Sequence, residues 1–237
     1  NLTGGVVGAF IGHMPNYAEG KFHFVNNGSV AVTNQADSAI LPTGGYYDQV
    51  VPEGIAQVVT EEDNLSDIIS NAAPGSVISL APGTYDGMIA IEKPITLKGL
   101  EGAAIAGAVM ISSDNVILDG ITFSGYGNPA ADTAPSSVYV RTGKSGVTVK
   151  NCVFAVPANS DKVKGIVTES NGQNLTVAGN TFNENYETAV YLNPAATGAK
   201  LLNNTVNTTG FGFRLAAAQN TAISGNIFDA VSYTHLR

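Results

Sequence analysis

Apolar and polar residues alternate along most of this chain in short runs, and the runs recur. Five segments align: NVILDGITF (115–123), GVTVKNCVF (146–154), NLTVAGNTF (174–182), AKLLNNTV (199–206) and TAISGNIF (221–228). Their last apolar positions, Phe123, Phe154, Phe182, Val206 and Phe228, are 31, 28, 24 and 22 residues apart. PITLKG (94–99) fits 21 residues before the first of them. Between them runs a second set, SVYVR (137–141), GIVTE (165–169), AVYLN (189–193) and GFRLA (212–216), at spacings of 28, 24 and 23.

Alternation with a period of two predicts strands that bury one face. Gly, Asn and Asp fill the gaps, where left-handed turn conformations are needed. Equivalent strands recur one period apart in the same sense, two runs to each period. The prediction is an all-β solenoid, a parallel β-helix whose coils stack about 4.8 Å apart. Its interior should hold Phe123, Phe154, Phe182 and Phe228 in one column. Asn180, Asn204 and Asn226 share another position, where stacked amides form a ladder. Ile121 and Cys152 precede them there, so Cys152 reads as a small buried apolar residue rather than a reactive thiol.

The start of the solenoid is also readable. TEEDNLSDIISNAAPG (60–75) opens with Thr60 and Asp63, a loose capping box. Leu65, Ile68, Ile69 and Ala72 then follow on one helical face before Pro74-Gly75 stops the helix. A short N-terminal α-helix here would cap exposed strand edges, which otherwise invite aggregation. The expected organisation is residues 1–40 as a Gly-rich β piece, 41–59 as a linker, 60–230 as the β-helix, truncated at its C-terminal side, and 231–237 as a tail that breaks the pattern.

Composition narrows the partners. Charged residues are 13% of the 237 and the formal net charge is -8. That charged share is about half the globular norm, and the negative balance excludes a nucleic-acid partner, which needs a basic face. The first 70 residues carry eight acids against Lys21 alone, so they read as a separate acidic piece. No apolar run approaches a membrane span. A single cysteine excludes an internal disulfide.

Family likeness enters on the segment LSDIISNAAPGSVISLAPGTYDGMIAIEKPITLKGLEGAAIAGAVMISSDNVILDGITFSG. It resembles the opening of pectin-lyase-like right-handed β-helix proteins, most of all the branch with chondroitinase B and alginate lyases. The family's opening has a Gly-Thr-Tyr turn, a Pro-Ile-Thr-Leu strand and an Asp-Gly-Leu-x-Phe strand, the last of which reads DGITF here, and the likeness extends over about residues 63 to 230. It implies a right-handed helix and, for the lyase branch, a Lys base and an Arg acid after an Asn-x-x-Phe strand. The matching stretch here, GNTFNENYETAVYL, holds Glu184 and Glu187 and neither Lys nor Arg. GGVVGAFIG (4–12) with FHFVNNGSV (22–30) resembles the GLUG repeats of bacterial adhesin-like surface proteins. VSYTHLR (231–237) looks like adapter read-through from a metagenomic assembly and carries no assigned function.

Aligning the coils gives the candidate site. Tyr139, Val167, Tyr191 and Arg214 fall in one outward column, with Arg141, Glu169 and Asn193 beside it. In the resembling enzymes this sheet carries the substrate groove. Tyrosine faces stack on sugar rings and an Arg fork grips a carboxylate, so Tyr139, Arg141, Glu169, Tyr191 and Arg214 are the expected glycan contacts. The competing reading makes them solvated strand surface, with Arg141 and Glu169 a weak ion pair. Lys98, Asp119 and Lys150 form a row of alternating charge on the other run. Glu184 and Glu187 have the spacing of a candidate glycosidase pair. No metal site is predicted: His13, His23 and His235 are scattered, no Ca²⁺ loop motif occurs, and only surface carboxylates remain as Ca²⁺ donors. No cofactor is indicated.

Two functions follow. One is a bacterial extracellular or cell-surface β-helix segment, structural, adhesive or glycan-binding, within a longer multidomain chain. The alternative is the N-terminal part of a carbohydrate-active enzyme, a polysaccharide lyase or glycoside hydrolase, acting on an acidic polysaccharide.

Overall fold

The computed structural model of the chain describes residues 56–129, 135–158, 162–208 and 210–229. The chain divides between Ile55 and Ala56, and all described residues belong to the second unit. The GLUG-like segment, most of the expected linker and the tail 231–237 lie outside the described residues.

The described part is a right-handed parallel β-helix. Each full coil contributes one strand to each of three parallel sheets. Sheet one runs through Ala56–Val59, Val77–Leu80, Thr96–Gly99, Ile117–Asp119, Thr148–Lys150, Thr176–Ala178, Lys200–Leu202 and Ala222–Ser224. Sheet two holds Gly83–Tyr85, Ala103–Ile105, Thr122–Phe123, Val153–Phe154, Thr181–Phe182, Thr205–Val206 and Ile227–Phe228. Sheet three holds Ile89–Ile91, Val109–Ile111, Ser136–Val140, Lys164–Thr168, Thr188–Leu192 and Phe211–Leu215.

The sequence pattern predicts two runs per period; the structure has three strands. The first run breaks at a corner, where Gly120, Asn151, Gly179, Asn203 and Gly225 all take a left-handed φ between 53° and 71°. The corner entering sheet one is also left-handed, with Asn115, Gly146, Asn174, Gly198 and Asn220 at φ between 51° and 71°. Glycine and asparagine are the residues that visit this conformation at least cost. The two corners alternate in opposite phase: a coil with Asn at one has Gly at the other. The reason is steric. A Cβ on Gly198 would sit 2.5 Å from Asn174 Oδ1 of the preceding coil, so an Asn leaves room only for a Gly above it.

The interior follows the predicted columns. Phe123 stacks on Phe154 at 4.8 Å between ring centroids and Phe154 on Phe182 at 4.4 Å. Val206 and Phe228 continue the register. Tyr186 meets the edges of Phe154 and Phe182, and its buried hydroxyl is 2.8 Å from Ser137 Oγ. Asn204 Oδ1 accepts from both the backbone N–H and the side-chain amide of Asn180, each at 3.0 Å. Asn226 does the same for Asn204, and Asn180 accepts from the Cys152 N–H at 2.9 Å. These amides replace ladder partners at a corner where buried backbone groups would otherwise be orphaned.

The N-terminal cap differs in detail from expectation. The helix is Leu65–Asn71 and Asn64, not Thr60, is its N-cap, accepting from the Asp67 N–H. Thr60 and Asp63 instead close a turn ahead of it, with Thr60 Oγ1 donating to Asp63 Oδ2 at 2.8 Å. Leu65 and Ile69 enter the core beside Ile89–Ile91, the first strand of sheet three. There the helix takes the place of a preceding rung. Lys93 Nζ donates to the carbonyls of Ser70 and Ala72, satisfying the helix C-terminus. Residues 56–59, expected as linker, form the first strand of sheet one. Val59 is fully buried there, and hydrogen bonds to Val77–Leu80 reward the β-branched pair Val58-Val59.

Candidate ligand-binding face on sheet three

Sheet three departs from simple alternation at its entry. Its ladder pairs Ser136 with Lys164 and Val138 with Ile166, skipping position 137 and its equivalents. Ser137 reaches Tyr186 in the core, and a Cβ on Gly165 would meet the Phe182 ring at 2.7 Å. Two successive positions therefore turn inward. The columns on the opposite side of the sheet are Ser136, Lys164, Thr188 and Phe211, then Tyr139, Val167, Tyr191 and Arg214, the second matching the predicted register; Ser136, Lys164, Thr188, Tyr139 and Val167 are nonetheless buried.

Along these columns the environment changes. Tyr139 is only 2% exposed, so it does not present a ring to solvent. Its hydroxyl donates to Glu169 Oε1 at 2.7 Å. Burial, then the hydrogen bond and charge of Glu169, push the Tyr139 phenol well above its ordinary range. Glu169 has several partners: its other oxygen accepts the Thr142 N–H at 2.7 Å and the Thr142 hydroxyl at 2.8 Å, with Arg141 Nε at 3.4 Å. Partial burial works to raise its pKa, but these donors together outweigh it and hold the carboxyl below the usual range. Asn193 is tied to Thr168, donating its amide to the Thr168 carbonyl at 2.6 Å. Lys164, 7% exposed, donates to Glu187 Oε2 at 3.0 Å.

The last two described coils are different. The Arg214 guanidinium lies over the Tyr191 ring at 4.8 Å and over the Phe211 ring at 5.8 Å. Phe211 and Arg214 are exposed and Tyr191 is half-buried. Sequence reasoning missed Phe211, because it stands one residue before the aligned run GFRLA. Its place in the column of Ser136, Lys164 and Thr188 was the available signal. The five predicted contacts thus separate into a hydrogen-bonded clamp of Tyr139, Arg141 and Glu169 and a cation–aromatic cluster of Tyr191 and Arg214, now joined by Phe211.

On sheet one a row of charges is partly paired. Asp119 sits in register between Lys98 and Lys150, 3.3 Å from the Lys150 ammonium, and accepts from the Asn151 amide at 2.9 Å. Glu184 is exposed, while Glu187 is committed to Lys164. Among the described residues, no group of three or more His, Cys, Asp or Glu converges as a metal site would require. Cys152 is buried, its thiol donating to the Lys150 carbonyl at 3.1 Å, and burial foremost pushes its pKa up to about 12. None of the described helices is long and apolar enough to cross a membrane.

No curated protein and no solved structure matches the chain. Residues 69–234, more than half of its length, match the protein family described as periplasmic copper-binding protein (NosD). A parallel solenoid of coils fits that match, and the chain belongs to the NosD family.

Proposed function

We propose that the chain is an extracytoplasmic β-helix module of a bacterial cell envelope or secreted protein, and that sheet three binds polysaccharide or cell-surface glycan at its C-terminal end. The observation that carries this reading is the Arg214 guanidinium held over the rings of Tyr191 and Phe211. Such a cluster holds N–H donors in place for a sugar's oxygens or carboxylate beside the exposed Phe211 ring, each contact contributing about 0.5–2 kcal/mol. The periplasmic description of the family supports the location. The pectin-lyase-like opening supports a carbohydrate partner by analogy of fold, which is a weaker argument than the cluster.

Binding is favoured over catalysis because the acids and bases near the cluster are engaged with each other. Glu169 serves Tyr139 and Thr142, and Glu187 serves Lys164. A general acid or base needs a free lone pair or proton within reach of substrate.

Calorimetric titration with alginate, chondroitin, pectin and neutral oligosaccharides tests the proposal. At least one should bind, and Tyr191→Ala and Phe211→Ala should each weaken it by roughly tenfold, the equivalent of about 1.4 kcal/mol. Absence of binding across the set, or binding indifferent to both substitutions, refutes the glycan face. Appearance of unsaturated product by ultraviolet absorbance would instead establish the lyase alternative.

A further inference from the structure

The family's description names copper, and the donors in these coils can be set against what copper requires. Cu(I) selects thiolate and thioether sulfur, and Cu(II) favours imidazole nitrogen with oxygen in a tetragonal arrangement. Between residues 56 and 229 the sequence has no histidine; His13, His23 and His235 all fall outside that span. The soft donors there are Cys152, Met88 and Met110.

None of these makes a site. A thiol must lose its proton to ligate, and the Cys152 thiol, pushed up to about 12 by burial, stays protonated at neutral pH. It is also 1% exposed, at the foot of the Asn180 ladder, with its proton directed at backbone carbonyls. Met110 pairs in register with Ala90, whereas Met88 precedes the strand Ile89–Ile91. The two thioethers are thus a rung and two residues apart, with Ala90 between them and no histidine on either strand. Asp119, whose charge bears on Cys152, is engaged by Lys150 and Asn151, and among the described residues no three His, Cys, Asp or Glu side chains converge.

We infer that the coil stack of this NosD-family chain is a copper-free scaffold: it supplies surface and rigidity, and its side chains do not ligate copper. Any copper the chain takes up is held by residues outside the described coils.

The test uses the full chain, reduced, with Cu(I) partitioned against bicinchoninate and Cu(II) followed by equilibrium dialysis and metal analysis. One variant combines Met88→Leu and Met110→Leu, both away from the packed interior. A second adds Cys152→Ala, with far-ultraviolet circular dichroism confirming that it folds. A third replaces His13, His23 and His235 by Ala. The expected result is that both coil variants match the unsubstituted chain in copper stoichiometry and in affinity within about twofold, whether that stoichiometry is zero or more. Loss of one copper equivalent, or a tenfold weaker affinity, in either folded coil variant overturns the inference. So does copper that survives the histidine substitutions and is accompanied by a copper–thiolate absorption band, which Cys152 alone can generate.

Discussion

Tyr139 and Glu169, thirty residues apart in the chain, meet across adjacent coils in a 2.7 Å hydrogen bond that also organises Thr142 and Arg141. The bond gives the solenoid a defined pH window. Glu169 has a folded-state pKa below its unfolded value, so its contribution is present above the unfolded value, near pH 4.3, and is lost as pH falls through the folded one. Tyr139 has a raised folded-state pKa, so its contribution is intact below about pH 10 and is lost above that. Urea midpoints should be flat between pH 6 and 8, on the order of those reference values, and fall on either side. Glu169→Gln should flatten the acid arm and cost about 1–3 kcal/mol at pH 7. An unchanged acid arm in that variant would remove Glu169 from the account.

The phenylalanine stack should be uneven in its energetics. Phe154 is fully buried between Phe123 and Phe182, whereas Phe228 is 44% exposed at the last described coil. Phe154→Ala should destabilise by about 3–5 kcal/mol in urea unfolding. Phe228→Ala should cost less than half as much, since much of its area remains in water. Equal losses would contradict the depth assigned to each.

Asn204 both donates and accepts within its ladder. Replacing it by Ala strands the amides of Asn180 and the carbonyl of Val177. A loss of about 2–4 kcal/mol is expected, because each unsatisfied buried group costs about 1–3 kcal/mol. Amide hydrogen exchange should then accelerate at Asn180 and leave Cys152, whose partner is Asn180, protected. Uniform acceleration would point to global unfolding instead of a broken ladder.

The corners offer a paired comparison. Gly143 and Gly198 are both left-handed, at φ 72° and 69°, but a Cβ on Gly143 meets nothing within 4 Å. Gly143→Ala should cost about 1–2 kcal/mol, the conformational penalty alone. Gly198→Ala adds the collision with Asn174 and should cost measurably more; thermal unfolding of the two variants, side by side, decides it.

Much of this architecture is legible in the sequence because each coil restates the same alternation. The columns of Tyr139, Val167, Tyr191 and Arg214, and of Lys98, Asp119 and Lys150, need only register, which repetition fixes. Burial does not repeat in that way. Tyr139 and Tyr191 are equivalent by alignment, yet one is enclosed and the other forms a platform, because the enclosure depends on segments that differ from coil to coil. The third strand of each coil escaped notice for a related reason. Its two or three residues, such as Thr181 and Phe182, are too few to show a period, and only Gly179 and Asn180 separate that pair from the strand before. The helix start moved from Thr60 to Asn64 because both have capping side chains and local sequence does not choose between them. The cation–aromatic cluster needed Phe211, whose alternation is hidden by the two successive inward positions at the entry to sheet three.

Because Asn and Gly alternate in opposite phase at the two corners of sheet one, neighbouring coils from Asn115 to Gly225 are not interchangeable. Copying one coil would set Gly beside Gly at one corner and Asn over Asn at the other, where the carboxamide of one would strike the side chain of the next. Copying two would keep the phase at both. The unit by which this solenoid can lengthen or shorten without repair is therefore a pair of coils, and length variants of it should differ by even numbers.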